Sequence, residues 1–231
     1  MTGKQVAEII LGDNGLLKSM RPGSVIILSS TIAPSDAREV AVPVLKGAIQ
    51  MIDTPVSGGK SGAENGTLTM MAASAKETFD EYQDVLKGVG EKVIHVGEEI
   101  GMGQTVKAAL QALIGSTFTA IFESLVLGSK AGVRGEVMHE VFGASGVGSP
   151  LLKNCSKLIM DRKFKGTGSQ IATMYKDLGI SMDLAKQNGV AMFTTAAAYE
   201  LFQSGISLFP GEDNWSIVRL LEQIADTEVK W

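Results

Sequence analysis

A change of pattern between Gly97 and Gly103 constrains this chain more than any other feature. Before it, short apolar runs bounded by turn signals alternate with helical periods. Ser24-Val25-Ile26-Ile27-Leu28-Ser29 follows the turn at Pro22-Gly23 and is a continuous apolar run, as suits a strand buried on both faces. Gln50 to Asp53, Leu68 to Ala73 and Lys92 to Val96 are three further strand candidates. Helices are expected over Gln5 to Leu11, over Pro34 to Leu45 with the proline near its start, and over Ala75 to Leu86. Such alternation argues for a parallel or mixed α/β sheet.

After Gly97 the strand signals stop. Val106 to Ala131 is apolar and Ala-rich, with only Lys107, Glu123 and Lys130 charged. As one helix it would be about 39 Å long and buried on most sides. Gly135 to Phe142, Pro150 to Met160, Gln170 to Asn188, Ala191 to Ser204 and Asn214 to Asp226 read as further helices. The expected organisation is an α/β domain over residues 1–98 and an all-helical domain over 99–231, joined by the long helix.

Bulk composition excludes several classes. The 231 residues are 45% hydrophobic and 20% charged, enough to fill a core. A net charge of −4 leaves no basic footprint for nucleic acid and no general attraction to acidic membranes. Cys155 is the only cysteine, which rules out an internal disulfide and fits a reducing, cytoplasmic setting. It has no histidine nearby and reads as packing rather than as a nucleophile. His95 and His139 are far apart, so no metal site is expected. No signal peptide or membrane-length apolar run is apparent. Apolar stretches in the helical half, such as Val190 to Phe202, suggest a homodimer or tetramer.

Two short segments carry candidate chemistry. Asp53-Thr54-Pro55-Val56-Ser57-Gly58-Gly59 crowds glycine, proline and a hydroxyl beside an apolar strand. Glycines let a backbone approach a ligand closely, and Ser57 with freed amides could grip a carboxylate. The same residues also make an ordinary Gly-rich turn. Gly101-Met102-Gly103-Gln104-Thr105-Val106-Lys107 opens the long helical stretch and places Lys107 among apolar neighbours. Removing a lysine amine from water favours its neutral form, which proton transfer requires. The alternative is a surface lysine whose stem lies along apolar surface.

Together these residues resemble the β-hydroxyacid dehydrogenase family, which includes 3-hydroxyisobutyrate dehydrogenases, tartronate semialdehyde reductases and L-threonate-type dehydrogenases. The likeness covers nearly the whole chain, and its four motifs fall in order at family-like spacing. It implies that Ser30 and Thr31 in Leu28-Ser29-Ser30-Thr31-Ile32-Ala33-Pro34 lie at the nicotinamide end of the cofactor. It implies that Ser57, Gly58 and Gly59 bind substrate and that Lys107 is the catalytic acid and base. Lys176 and Asp177 match a late Lys-Asp pair, with Lys176 near the cofactor and Asp177 orienting the site; on residues alone they also read as a surface helical charge pair. The implied fold is a Rossmann-like NAD(P)-binding domain followed by a helical substrate and dimerisation domain.

The family's opening Gly-x-Gly-x-x-Gly turn does not occur here, and Gly101-Met102-Gly103 does not supply it. Alignment to the family puts residue 1 inside the nucleotide domain, so an incomplete Rossmann-like unit is expected, with NAD or NADP undetermined. The expected activity is hydride transfer between NAD(P) and a small β-hydroxy acid. A non-catalytic helical scaffold that cannot bind NAD(P) is the alternative. Gln111 stands where many relatives carry asparagine, and Ser169 where many carry an aromatic residue. Both differences favour a polyhydroxylated, threonate-like acid.

Overall fold

The computed structural model describes residues 1–231 and divides them into two compact units. The first comprises Met1–Leu110 and Asp183–Gly189, the second Gln111–Met182 and Val190–Trp231.

The first unit is a mixed α/β sheet with helices. Helix α1 (Gly3–Leu11) is opened by a capping box in which Thr2 Oγ1 accepts from the Gln5 amide and Gln5 Oε1 from the Thr2 amide. A 3₁₀ turn (Leu16–Lys18) leads to strand β1 (Val25–Leu28). Helix α2 (Pro34–Lys46) starts on Pro34, whose fixed φ and missing N–H suit a first helical position. Strand β2 (Gln50–Asp53) runs parallel to β1, pairing Leu28 with Asp53 at their carboxyl ends. Strand β3 (Val56–Ser57) and helix α3 (Gly59–Glu64) follow, then β4 (Thr69–Ala73), α4 (Lys76–Glu81), α5 (Gln83–Lys87) and β5 (Lys92–Gly97).

Strand β4 organises the sheet. On one edge it pairs antiparallel with Asp53 and with β3, through Asp53–Ala73, Val56–Met70 and Ser57–Thr69. These three pairs share one register, so β2 and β3 act as a single strand with the Thr54-Pro55 step inside it. Pro55 donates no hydrogen bond but accepts one from the Met71 amide. On the other edge β4 pairs in parallel with β5. Two apolar clusters hold the unit together. One joins α1, β1 and α2 around Ile32, Ala37 and Val44; the other joins Ile52, Met70, Phe79 and Leu86.

Four expected strands are present, β2 with its expected ends and the others with ends shifted by a single residue. Two elements were not expected. Strand β3 is only two residues long and is defined by its pairing with β4, and α3 is built on Gly59-Lys60-Ser61-Gly62, which reads locally as a turn. The helix expected over Ala75 to Leu86 is broken at Tyr82, whose ψ of 11° leaves the helical range while its ring packs against the Ile52 cluster.

The second unit is all-helical apart from one isolated bridge between Gln170 and Asp213. Helix α6 (Met102–Lys130) passes from the first unit into the second at Leu110–Gln111. It is followed by α7 (Gly135–Ala144), α8 (Pro150–Met160), α9 (Ile171–Gln187), α10 (Phe193–Leu208), a 3₁₀ turn (Asn214–Ile217) and α11 (Val218–Ala225). Asn214 to Asp226, expected as one helix, is therefore a 3₁₀ turn and a shorter α-helix. The core gathers Phe118, Phe122, Leu125, Ile159, Leu178, Phe202 and Ile217. Gly115 is required for close helix contact: a Cβ there would lie 2.7 Å from a methyl of Leu178 on α9. Cys155 is buried in this core, and burial pushes its thiol pKa up, away from reactivity.

The expectation that no apolar run reaches membrane length is corrected by α6. It is long and apolar enough to cross a bilayer by length and composition, with half of its most apolar window buried inside the protein. The interior helix of a packed core passes the same test, because isolated charges at Lys107 and Glu123 interrupt its apolar sequence only weakly.

Candidate active site

In the first unit the carboxyl ends of β1 and β2 meet the start of α6, and one buried side chain ties them together. Gln104 is 1% exposed. Its Oε1 accepts from the Ile32 amide at 3.0 Å, and its Nε2 donates to the Ser30 carbonyl at 2.9 Å and to Asp53 Oδ1 at 2.7 Å. The carboxylate can only accept, so Nε2 must face it, and that fixes the amide's orientation. The other oxygen, Asp53 Oδ2, accepts from the Gly101 amide at 2.9 Å and the Gln104 amide at 3.2 Å. Asp53 thus caps α6 from a neighbouring strand, where a negative charge is favoured by the unsatisfied amides and the helix dipole. It is fully buried, and burial raises its pKa above the ordinary value while the bonds from Gln104 and Gly101 pull it down.

This junction leaves no room at Gly103. A Cβ there would lie 2.5 Å from the Met71 carbonyl oxygen and 2.6 Å from that of Asp53. Lys107, one turn beyond Gln104, is 6% exposed, so the reading of it as a surface lysine is set aside. Thr31 and Ser30 are half-buried in the turn that Gln104 holds. Ser57 is half-buried at the end of β3. Gly58 follows with φ 129° and Gly59 with φ 61°, conformations that side chains rarely adopt, and both are exposed.

In the second unit α6 and α9 bring three more expected residues together. Gln111 Nε2 donates to Asp177 Oδ2 at 2.6 Å, and the Lys176 ammonium lies 2.8 Å from Asp177 Oδ1. That second contact is an ion pair. Asp177 is 3% exposed, which sets aside the surface-pair reading. Ser169 accepts from Asn214 Nδ2 at 2.9 Å, so its hydroxyl serves the turn that precedes α9. An open pocket of about 460 Å³ in this unit is lined by Arg162, Arg219, Glu222 and acidic neighbours, and none of the expected site residues lines it.

Sequence reasoning assigned no role to Asp53 or Gln104, although both stand inside the quoted motifs. The available signals were a carboxylate at the end of an otherwise apolar strand and a glutamine in the first turn of an apolar helix. Either is costly to bury without a partner.

Comparison with known proteins finds relatives along nearly the whole chain. Residues 1–97 match the family described as the NAD binding domain of 6-phosphogluconate dehydrogenase. Residues 101–221 match the family described as the NAD-binding of NADP-dependent 3-hydroxyisobutyrate dehydrogenase. The two matches meet near residue 100, and the compact units part at Leu110. The chain is 34% identical to a 2-(hydroxymethyl)glutarate dehydrogenase of Eubacterium barkeri over 226 residues, 97% of this chain and 74% of that one. It is 32% identical to an L-threonate dehydrogenase of Haemophilus influenzae, covering 96% of this chain and 73% of the other. Among solved structures, a 3-hydroxyisobutyrate dehydrogenase from Salmonella typhimurium superposes with a TM-score of 0.86 at 28% identity, over 95% of this chain and 76% of that one.

Proposed function

The chain belongs to the β-hydroxyacid dehydrogenase family, and from that membership we propose a reversible oxidation of a small β-hydroxy acid in which Lys107 moves the hydroxyl proton. It is an oxidoreductase that uses a nicotinamide cofactor. A scaffold without catalysis is not favoured, because the likeness to named dehydrogenases runs through 97% of the chain.

The residues present suit the nicotinamide end of the cofactor. Ser30 and Thr31 form a half-buried polar turn at the carboxyl end of β1, beside the parallel strand β2. Ligands of open α/β sheets bind outside such strand ends. No Gly-x-Gly-x-x-Gly turn is in the sequence, so no residue is assigned to the pyrophosphate. When bound, the nicotinamide supplies the carrier of the hydride. Ser30 and Thr31 would hold its amide end, and Lys176 would lie near it.

The remaining roles belong to this chain's own side chains. Lys107 Nζ takes the proton from the substrate hydroxyl in oxidation and returns it in reduction. Ser57, with the Gly58 and Gly59 amides, holds the substrate carboxylate; exposed positive-φ glycines leave that backbone open to a ligand. Gln111 lies one helical turn beyond Lys107, and Asp177 fixes its amide. That arrangement favours a polyhydroxylated, threonate-like acid, and the likeness to an L-threonate dehydrogenase supports the same class. Exposed Phe193, Leu127 and Leu113 support a homodimer or tetramer.

The observation that carries the proposal is the burial of Lys107 on α6 within the matched family segment. The test is turnover of L-threonate, 3-hydroxyisobutyrate and 2-(hydroxymethyl)glutarate with NAD⁺ and NADP⁺. Lys107→Ala is expected to lower kcat by about 10²- to 10⁴-fold, the usual contribution of a positioned acid or base. Near-normal turnover in that variant would remove Lys107 from the reaction.

A further inference from the structure

Gln104 does something unusual for a buried glutamine. Its carbonyl and amino ends pair with the Ile32 N–H and the Ser30 C=O, as a neighbouring strand would pair with that stretch of backbone. The second amino hydrogen is taken by Asp53, which also caps the helix that bears Gln104. The Ser30–Ile32 turn, the end of β2 and the first turn of α6 are therefore joined through one amide and one carboxylate, both out of contact with water. In this interior such bonds are strong, and each is costly to leave half made.

We propose that Gln104, oriented by Asp53, is a positioning residue for the reaction: it fixes the turn bearing Ser30 and Thr31 against the start of the helix that carries Lys107. The inference rests on the roles given above to Lys107 and to that turn. Gln104 itself need not touch substrate. Lys107 follows it by three residues on one rigid helix, so fastening Gln104 to the turn also fixes where the lysine's Cα lies relative to Thr31. A base displaced by even about 1 Å loses a large part of its effect.

Gln104→Met tests this, since methionine keeps the length and helix propensity and removes both polar ends. Asp53→Asn is the second variant, which keeps the glutamine but leaves one acceptor oxygen at position 53 to serve both Gln104 Nε2 and the amides at the start of α6. Phe202→Leu, in the core of the second unit, serves as a control for lost stability. Two quantities are read: hydrogen exchange at the Ile32 amide, and kcat and KM for whichever hydroxy acid the wild type turns over. In Gln104→Met the Ile32 amide is expected to exchange at least about tenfold faster while β1 amides keep their protection. kcat is expected to fall about tenfold or more with KM changed less than about threefold, as for an effect on the transition state alone. Asp53→Asn should move both readouts in the same direction by less. Phe202→Leu should lower Tm, leave kcat unchanged and speed exchange at the Ile32 amide no more than at the β1 amides.

An unchanged Ile32 amide in Gln104→Met overturns the inference, and so does a kcat loss no greater than that of the control. If the wild type turns over none of the three acids, the functional reading fails separately, and the exchange measurement alone then decides whether Gln104 holds the turn.

Discussion

Asp53 shows how one residue can be costly and useful together. Its burial raises the carboxyl pKa, and four contacts to the start of α6 and Gln104 offset only part of that effect. An acid with a raised folded pKa contributes most to stability while protonated in both states, below about pH 4, and that contribution is lost as pH rises through the raised value. Urea unfolding of wild type and Asp53→Asn between pH 3.5 and 7 should therefore show the wild type's advantage shrinking toward neutrality. A gap that is constant or widens with pH would contradict this. Sequence alone singled out Ser57, Lys107 and Asp177 as candidates and passed over Asp53 and Gln104. The first three sit in spacings that a family shares. The other two matter because strands far apart in sequence meet at one helix end, and no local pattern encodes that meeting.

The elements themselves were largely readable, and the exceptions share a cause. Pro150–Met160 and Gln50–Asp53 match their expected limits, because a capping Ser149 with Pro150 in one case and a bounded apolar run in the other are local signals. Strand β3 and the Tyr82 break are set by partners: β4 for one, the Ile52 cluster for the other. Packing between elements likewise decides which glycines are replaceable. Gly103→Ala would press a methyl onto two backbone carbonyls and should cost about 1–3 kcal/mol by chemical denaturation, as overpacking does. Gly128→Ala, farther along α6, meets the flexible end of Met138 and should cost less.

At the scale of the whole molecule, fold class and family were legible because both follow from long-range pattern: strands stop where the helical half begins, and ordered motifs run through nearly the full chain. Where one compact unit gives way to the other was less so, because that division falls inside helices. α6 contributes its start to the first unit and the rest to the second, and α9 does the reverse with its last residues. Melting either unit alone would require tearing a helix partway along its hydrogen-bond ladder, leaving frayed ends where helix formation is most cooperative. Calorimetry should accordingly give one heat-absorption peak, with van't Hoff and measured enthalpies equal, where two resolved peaks would show separate melting. A chain divided in this way offers no clean cut: a fragment stopped at Leu110 would carry only the first turns of α6 and none of α9.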